Sequence, residues 1–328
     1  MPHNQRFLIY LLLFIFFSCA TKHTRYRLPD EKNEAIKLTQ DHDGYTSYFM
    51  LGNAGTGDKE PNVELLKALG QYTSKNASEQ DYLFFLGDNL KLEKSAHNAY
   101  LDPQVKLAQG FPGQFIMIPG DREWHDKSPG DIEDLEDKIE EIFGQDNQFL
   151  PENACPLEEV DVDDNTHIIV VDSQWYIEDW SKKKKFNDKC QIKTREQFLF
   201  RLGDAVRKAR HKNILLLMHH PLYTNGIYGG EISGEAAYRP SAQNLFIPGA
   251  GFLYSFIRSQ GGISKQDQFN PLMTQLMNEI KTITDQAPQV FVLSAHEQSL
   301  QYIEHDGLRQ IISGTAGDQE AARLGKDG

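Results

Sequence analysis

Short apolar runs in this chain repeatedly end in residues of the types that hold metals. Tyr48 to Leu51 ends at Gly52-Asn53, Tyr82 to Leu86 at Gly87-Asp88-Asn89, and Phe115 to Ile118 at Pro119-Gly120-Asp121-Arg122. Ile168 to Val171 ends at Asp172, Ile214 to Met218 at His219-His220-Pro221, and Val290 to Leu293 at Ser294-Ala295-His296. Carboxylates and imidazoles brought together from separate strand ends supply the oxygen and nitrogen ligands that transition metals take. With an activated water and a positive charge on the transition state, such a site suits hydrolysis of a phosphate ester.

The elements that must position these residues read as buried strands, because runs of four to six apolar residues are bounded by Gly or Pro. Leu308 to Ile312, ending at Ser313-Gly314, is one more such run. Helical spacing appears between them: Leu65, Leu69 and Tyr72; Ile132, Leu135, Ile139 and Ile142; and Leu272, Leu276, Ile280 and Ile283 after Pro271. Thr194 and Gln197 form a capping-box signature ahead of Phe198, Leu202, Ala205 and Ala209. Strands alternating with helices predict an α/β fold with function at the carboxyl ends of the strands. The stretch from about 225 to 270 breaks the rhythm and reads as a long insertion, a candidate lid.

The motif order resembles that of the calcineurin-like metallophosphoesterases, including the purple acid phosphatases. Their blocks GD-x-G, GD-x-x-Y or GDN, GNH-[DE], H-x-P and GH-x-H correspond to Gly52-Asn53-Ala54-Gly55, Gly87-Asp88-Asn89, Gly120-Asp121-Arg122-Glu123, His219-His220-Pro221 and Ala295-His296-Glu297-Gln298. Leu150-Pro151-Glu152-Asn153-Ala154-Cys155-Pro156, Asp172-Ser173-Gln174-Trp175 and Lys193-Thr194-Arg195-Glu196 are similar to a subgroup of exported proteins of the Bacteroidetes type. The resemblance implies a two-sheet α/β sandwich with flanking helices. It also implies metal-assisted hydrolysis of a phosphate monoester or diester.

Several of the family's positions are altered. Asn53 stands where the family has a metal-binding Asp, Lys91 where purple acid phosphatases have a ligand Tyr, and Gln298 where GH-x-H has its second His. Of the first metal site, only Asp88 remains a strong ligand, since a lysine ammonium has no lone pair. The second site, Asp88, Asp121, His219 and His296, is intact and suits one Zn, Fe or Mn per chain. Lys91 beside Asp88 would bring positive charge to the place of the first metal. Arg122, where the family's general acid His is found, cannot release a proton but can bind phosphate oxygens. His220 and His125 are candidate substitutes for that acid.

With 328 residues, a net charge of −13 and no basic patch interleaved with aromatics, nucleic acid is excluded as a natural partner. Arg6 followed by apolar residues from Phe7 to Phe17 suits a signal segment rather than a span, which needs ~20 residues. Ser18-Cys19-Ala20 then resembles a bacterial lipobox, which places a lipid on Cys19. The reading is a signal over 1–19, a tether over 20–43 and the phosphoesterase-type domain over 44–328, on the periplasmic side of the outer membrane. In that oxidising compartment Cys155 and Cys190 are a candidate disulfide; two free thiols are the alternative. Two functions stay open: an esterase with one metal site and an unknown phosphate ester substrate, or an inactive binding module for an envelope protein partner.

Overall fold

Strand β2 (Tyr82–Phe85) shows why the molecule has layers: all four residues are buried, so both of its faces are covered. Tyr82, Phe84 and Leu86 point to one side, where they meet Ile116, Ile118, Ile168, Val170, Leu215, Leu217 and Leu293. Leu83 and Phe85 point the other way, into a cluster that contains helical side chains. This period-two division places one apolar layer between two sheets and another beneath helices.

The computed structural model describes residues 45–57, 60–124, 128–178, 189–226, 228, 261, 264–319 and 322. β1 (Tyr48–Leu51), β2 and β3 (Gln114–Met117) form a three-stranded parallel sheet in the order β1-β2-β3. The second sheet has six strands in the order β4-β5-β6-β7-β9-β8. They are β4 (Leu157–Asp161), β5 (Thr166–Val171), β6 (Asn213–Met218), β7 (Val290–Ser294), β8 (Leu300–His305) and β9 (Leu308–Ser313). β5, β6, β7 and β9 run parallel, and the edges β4 and β8 are antiparallel to their neighbours. The expected two-sheet α/β architecture with flanking helices is therefore present.

The helices begin where local chemistry permits. α1 (Val63–Asn76) is capped by Asn62, whose side chain accepts from Leu65 N. α2 (His97–Gln109) carries Pro103 inside it. α3 (Pro129–Phe143) has the Ser128 cap, Pro at its start and Gly144 in the left-handed conformation at its end. After β5, Asp172 caps the short α4 (Ser173–Ile177). In α5 (Arg195–Ala209), Gln197 N donates to Thr194 Oγ1 at 3.2 Å and Gln197 Oε1 accepts from Lys193 N at 2.7 Å. α6 (Pro271–Thr284) follows an Asn270 cap.

Cys155 and Cys190 are joined in a disulfide with Cα atoms 5.4 Å apart. It ties the segment before β4 to the segment before α5. Among the described residues no helix is long and apolar enough to cross a membrane. The signal and lipobox, including Cys19, lie outside the described residues, as do His125 and most of the 225–270 insertion.

Candidate metal centre

Asp121, His219 and His296 offer ligand atoms that converge at the carboxyl ends of β3, β6 and β7. Asp121 Oδ1 lies 3.3 Å from His219 Nε2 and 3.4 Å from His296 Nδ1. The two imidazole nitrogens are 3.3 Å apart, which closes the triangle. Asp88, after β2, adds Oδ1 at 3.4 Å from His219 Nε2. Metal–ligand bonds of ~2.0–2.1 Å in tetrahedral geometry separate their donors by about 3.3–3.4 Å. The donor set and its spacing therefore fit a transition-metal ion, held by Asp121, His219 and His296 with Asp88 beside them.

The backbone is bent to achieve this. Asn53 (φ 62°), Asp88 (φ 54°) and His296 (φ 61°) all adopt the left-handed conformation that costs a non-glycine residue energy. Strand ends also approach closely. A Cβ on Gly120 would sit 2.5 Å from Asp88 Oδ1 and 2.9 Å from His219 Cε1, and one on Gly87 2.6 Å from His219 Nδ1. Glycine is what lets three strand ends share this space.

Glu123 welds two of the ligand-bearing turns together. Its buried carboxylate accepts from the backbone N–H of Asp88, Asn89, Leu90 and Gly120 at 2.6–2.9 Å. Burial, reinforced by the Asp88 charge, lifts Glu123 to about 7.

Each imidazole has a defined edge. His219 Nδ1 donates to Leu86 O at 2.8 Å, which turns Nε2 toward the carboxylates. Burial opposes charging of His219, but Asp88 and Asp121 outweigh it and raise the ring to about 9. Burial, then the charge of Asp121, raises Asp88. For Asp121 burial works upward too, yet the bonds from His219 and His296 hold it well below the usual carboxylate range. A buried carboxylate, Asp88, and a partly exposed one, Asp121, thus favour a positive charge between them. His220 differs: burial, then His296 and His219, push it well below its ordinary value.

The altered positions have distinct fates. Arg122, not Lys91, meets the Asp88 carboxylate: its Nε lies 3.3 Å from Oδ2, its backbone N donates to Oδ1 at 3.0 Å, and Nη1 donates to Gly55 O at 3.1 Å. Lys91 instead donates to Gly57 O at 2.5 Å and lies 5.7 Å over the Tyr100 ring. Asn53 Nδ2 donates to Glu297 O and Gly314 O, while its buried Oδ1 has no hydrogen-bond partner among the described residues. Gln298 is half-buried and, among the described residues, makes no hydrogen bond to the cluster.

Two residues near the centre carried no signal that sequence reasoning used. Tyr228 packs against His296 with ring centroids 4.2 Å apart and ring planes tilted by 42°. Its backbone N donates to Glu297 Oε1 at 3.0 Å, and Thr224 Oγ1 donates to the same oxygen at 2.8 Å. The buried Glu297 thus fixes an aromatic wall on the metal cluster.

No family model matches the sequence, and no curated protein matches it. Among solved structures the fold is similar to GAP50, the anchor in the inner membrane complex of Plasmodium, at 15% identity and a TM-score of 0.46, over 84% of this chain and 75% of that one. It is similar to phosphopantetheinyl hydrolase of Mycobacterium tuberculosis at 13% identity and a TM-score of 0.38, over 83% and 91%. It is also similar to purple acid phosphatase PPD1 of yellow lupin at 12% identity and a TM-score of 0.38, over 85% of this chain and 45% of that one. At such identities the likeness concerns the course of the chain, and activity has to be argued from the residues of the site.

Proposed function

We propose that this chain is a metal-dependent phosphoesterase-type hydrolase working with one metal ion, exported and lipid-anchored at Cys19 in the cell envelope. The observation that carries the catalytic part is the 3.3–3.4 Å triangle of Asp121, His219 and His296 donors. The disulfide between Cys155 and Cys190 supports the export, since such bonds persist in oxidising compartments.

A bound ion supplies Lewis acidity and acidifies water for attack on phosphorus. The chain's own groups do the rest. Arg122 brings a permanent positive charge beside Asp88. Its Nε and Nη1 are engaged, so Nη2 remains to receive a phosphate oxygen. Asn53 Oδ1 is a further acceptor without a partner among the described residues. Arg122, at the place of the family's general acid, does not release a proton readily, so substrates with good leaving groups are favoured. The test is metal content together with turnover of an aryl and an alkyl phosphate. Bound metal and faster aryl hydrolysis, both lost in Asp121→Ala, support the reading; no metal and no turnover sink it.

A second reading is an inactive binding module for an envelope protein. It is favoured by Arg122 on Asp88 Oδ2 and by the Asn53 amide committed to backbone carbonyls, which consume groups a second ion would need. Metal-dependent turnover would remove it.

A further inference from the structure

Asp121 and His219 come from different sheets, and two consecutive residues at one corner reach both of their segments. β5 ends at Asp172 and turns into α4 at Ser173; both residues are fully buried. Asp172 Oδ2 accepts the indole N–H of Trp124 at 2.9 Å, and Oδ1 accepts Trp175 N at 3.0 Å. Trp124 is buried and lies three residues past Asp121, on the turn that follows β3. Ser173 Oγ lies 2.8 Å from His220 Nδ1 and accepts His220 N at 3.3 Å. One corner of the six-stranded sheet therefore grips the Asp121 turn of the other sheet and the His219-His220 segment of its own. The corner is held from behind by Pro156 O, which accepts Asp172 N at 3.0 Å.

Ser173 Oγ, which already receives the backbone N–H of His220, makes a second hydrogen bond with the same residue's ring at Nδ1 and so fixes the ring's orientation. Its other nitrogen, Nε2, is buried and has no hydrogen-bond partner among the described residues. The His220 ring packs against His296 with centroids 4.4 Å apart. A buried polar atom left unpaired is costly, and a fold retains one where a ligand completes it.

We propose that Asp172 and Ser173 are positioning residues of the metal centre: Asp172, through Trp124, sets the Asp121 turn, and Ser173 sets the His220 ring beside His219 and His296. This rests on the metal-dependent reading above. The test measures Zn²⁺ affinity of the full chain by competition with a chromogenic chelator, with the melting temperature of the metal-free protein alongside. Removing a direct partner of a ligand costs roughly 10–100-fold; Trp124 and Ser173 act one contact further out, so Trp124→Phe and Ser173→Ala should each weaken Zn²⁺ binding by about fivefold or more. Ser173→Thr keeps the hydroxyl and should stay within about threefold of the parent. Zn²⁺ affinities within twofold of the parent in Trp124→Phe and Ser173→Ala overturn the proposal, even with lowered melting temperatures, and leave the metal centre standing. A parent chain that binds no Zn²⁺ overturns both. Where Trp124→Phe does not fold, the Ser173→Ala loss and Ser173→Thr rescue decide the matter alone.

Discussion

Arg122 Nε lies 3.3 Å from Asp88 Oδ2, on the carboxylate whose other oxygen faces the metal cluster. Asp88 is nearly buried, and its charge is shared between a cluster that wants a cation and a guanidinium that is always one. Replacing Arg122 by Gln removes the guanidinium that the proposed function assigns to phosphate, together with the charge beside Oδ2. We expect kcat/KM on an aryl phosphate to fall about 100-fold and inhibition by orthophosphate to weaken, with metal content retained. Arg122→Lys should recover only part, because a point charge lacks the planar fork. Unchanged phosphate inhibition in Arg122→Gln would remove the arginine from substrate binding.

Metal removal should be felt as lost stability. A ligand bound only by the folded state adds about 2.7 kcal/mol when present at 100 times its dissociation constant. Chelator treatment should therefore lower the melting temperature by several degrees, and added Zn²⁺ should restore it. Asp121→Ala takes away one corner of the donor triangle, so its melting temperature should not respond to chelator. A melting temperature that responds to chelator equally in both proteins would place the metal elsewhere.

The strands that carry the site were legible because they are central: β2, β5 and β6 have both faces covered and appear as unbroken apolar runs. β4 and β8 were not, because they are sheet edges with exposed residues such as Leu300 and Tyr302 breaking the pattern. α2 was hidden by Pro103 within it. In α1 the helix was legible but its buried face was not: Leu66 and Thr73 are buried, whereas Leu65 and Tyr72 are exposed. Asp88, Asp121, His219 and His296 could be found because each closes an apolar run. The partners of Arg122, Ser173 and Asp172 could not, since those contacts join segments 34 to 48 residues apart.

Glu136 on α3 provides a pH-dependent element away from the metal. Both of its oxygens accept Asn153 N at 2.8 Å, and burial raises its carboxyl to about 7. The folded state thus holds this proton more tightly than the unfolded chain does. The resulting stability is present below the unfolded value near ~4.5 and is lost as pH rises through about 7. Glu136→Gln keeps an acceptor for Asn153 and does not ionise. Urea midpoints should show Glu136→Gln gaining on the parent by about 1–3 kcal/mol between pH 5 and pH 8. A difference independent of pH would mean that Glu136 titrates normally.

The disulfide closes a loop with a sequence separation of 35, which corresponds to ~3–4 kcal/mol of unfolded-state entropy. Reduction should lower the melting temperature by roughly 10 °C for a domain of this size. Cys155→Ala combined with Cys190→Ala should reproduce the reduced protein and be insensitive to reductant. A reductant effect that persists in the double variant would mean that it acts elsewhere.

Gly120 and Gly203 make opposite predictions for the same substitution. A Cβ at Gly120 would lie 2.4 Å from Asp88 N and 2.5 Å from Asp88 Oδ1, so the turn must move and carry the ligand with it. Gly120→Ala should lose metal binding and destabilise the fold by about 1–3 kcal/mol, the cost typical of overpacking. Gly203 lies inside α5, and a Cβ there meets nothing within 4 Å. Gly203→Ala should stabilise by about 0.5–1 kcal/mol, because alanine restricts the unfolded chain and favours helix. Thermal melts with and without Zn²⁺ separate the two effects. A Gly120→Ala protein that binds Zn²⁺ like the parent would show that the strand ends need not approach so closely to build the centre.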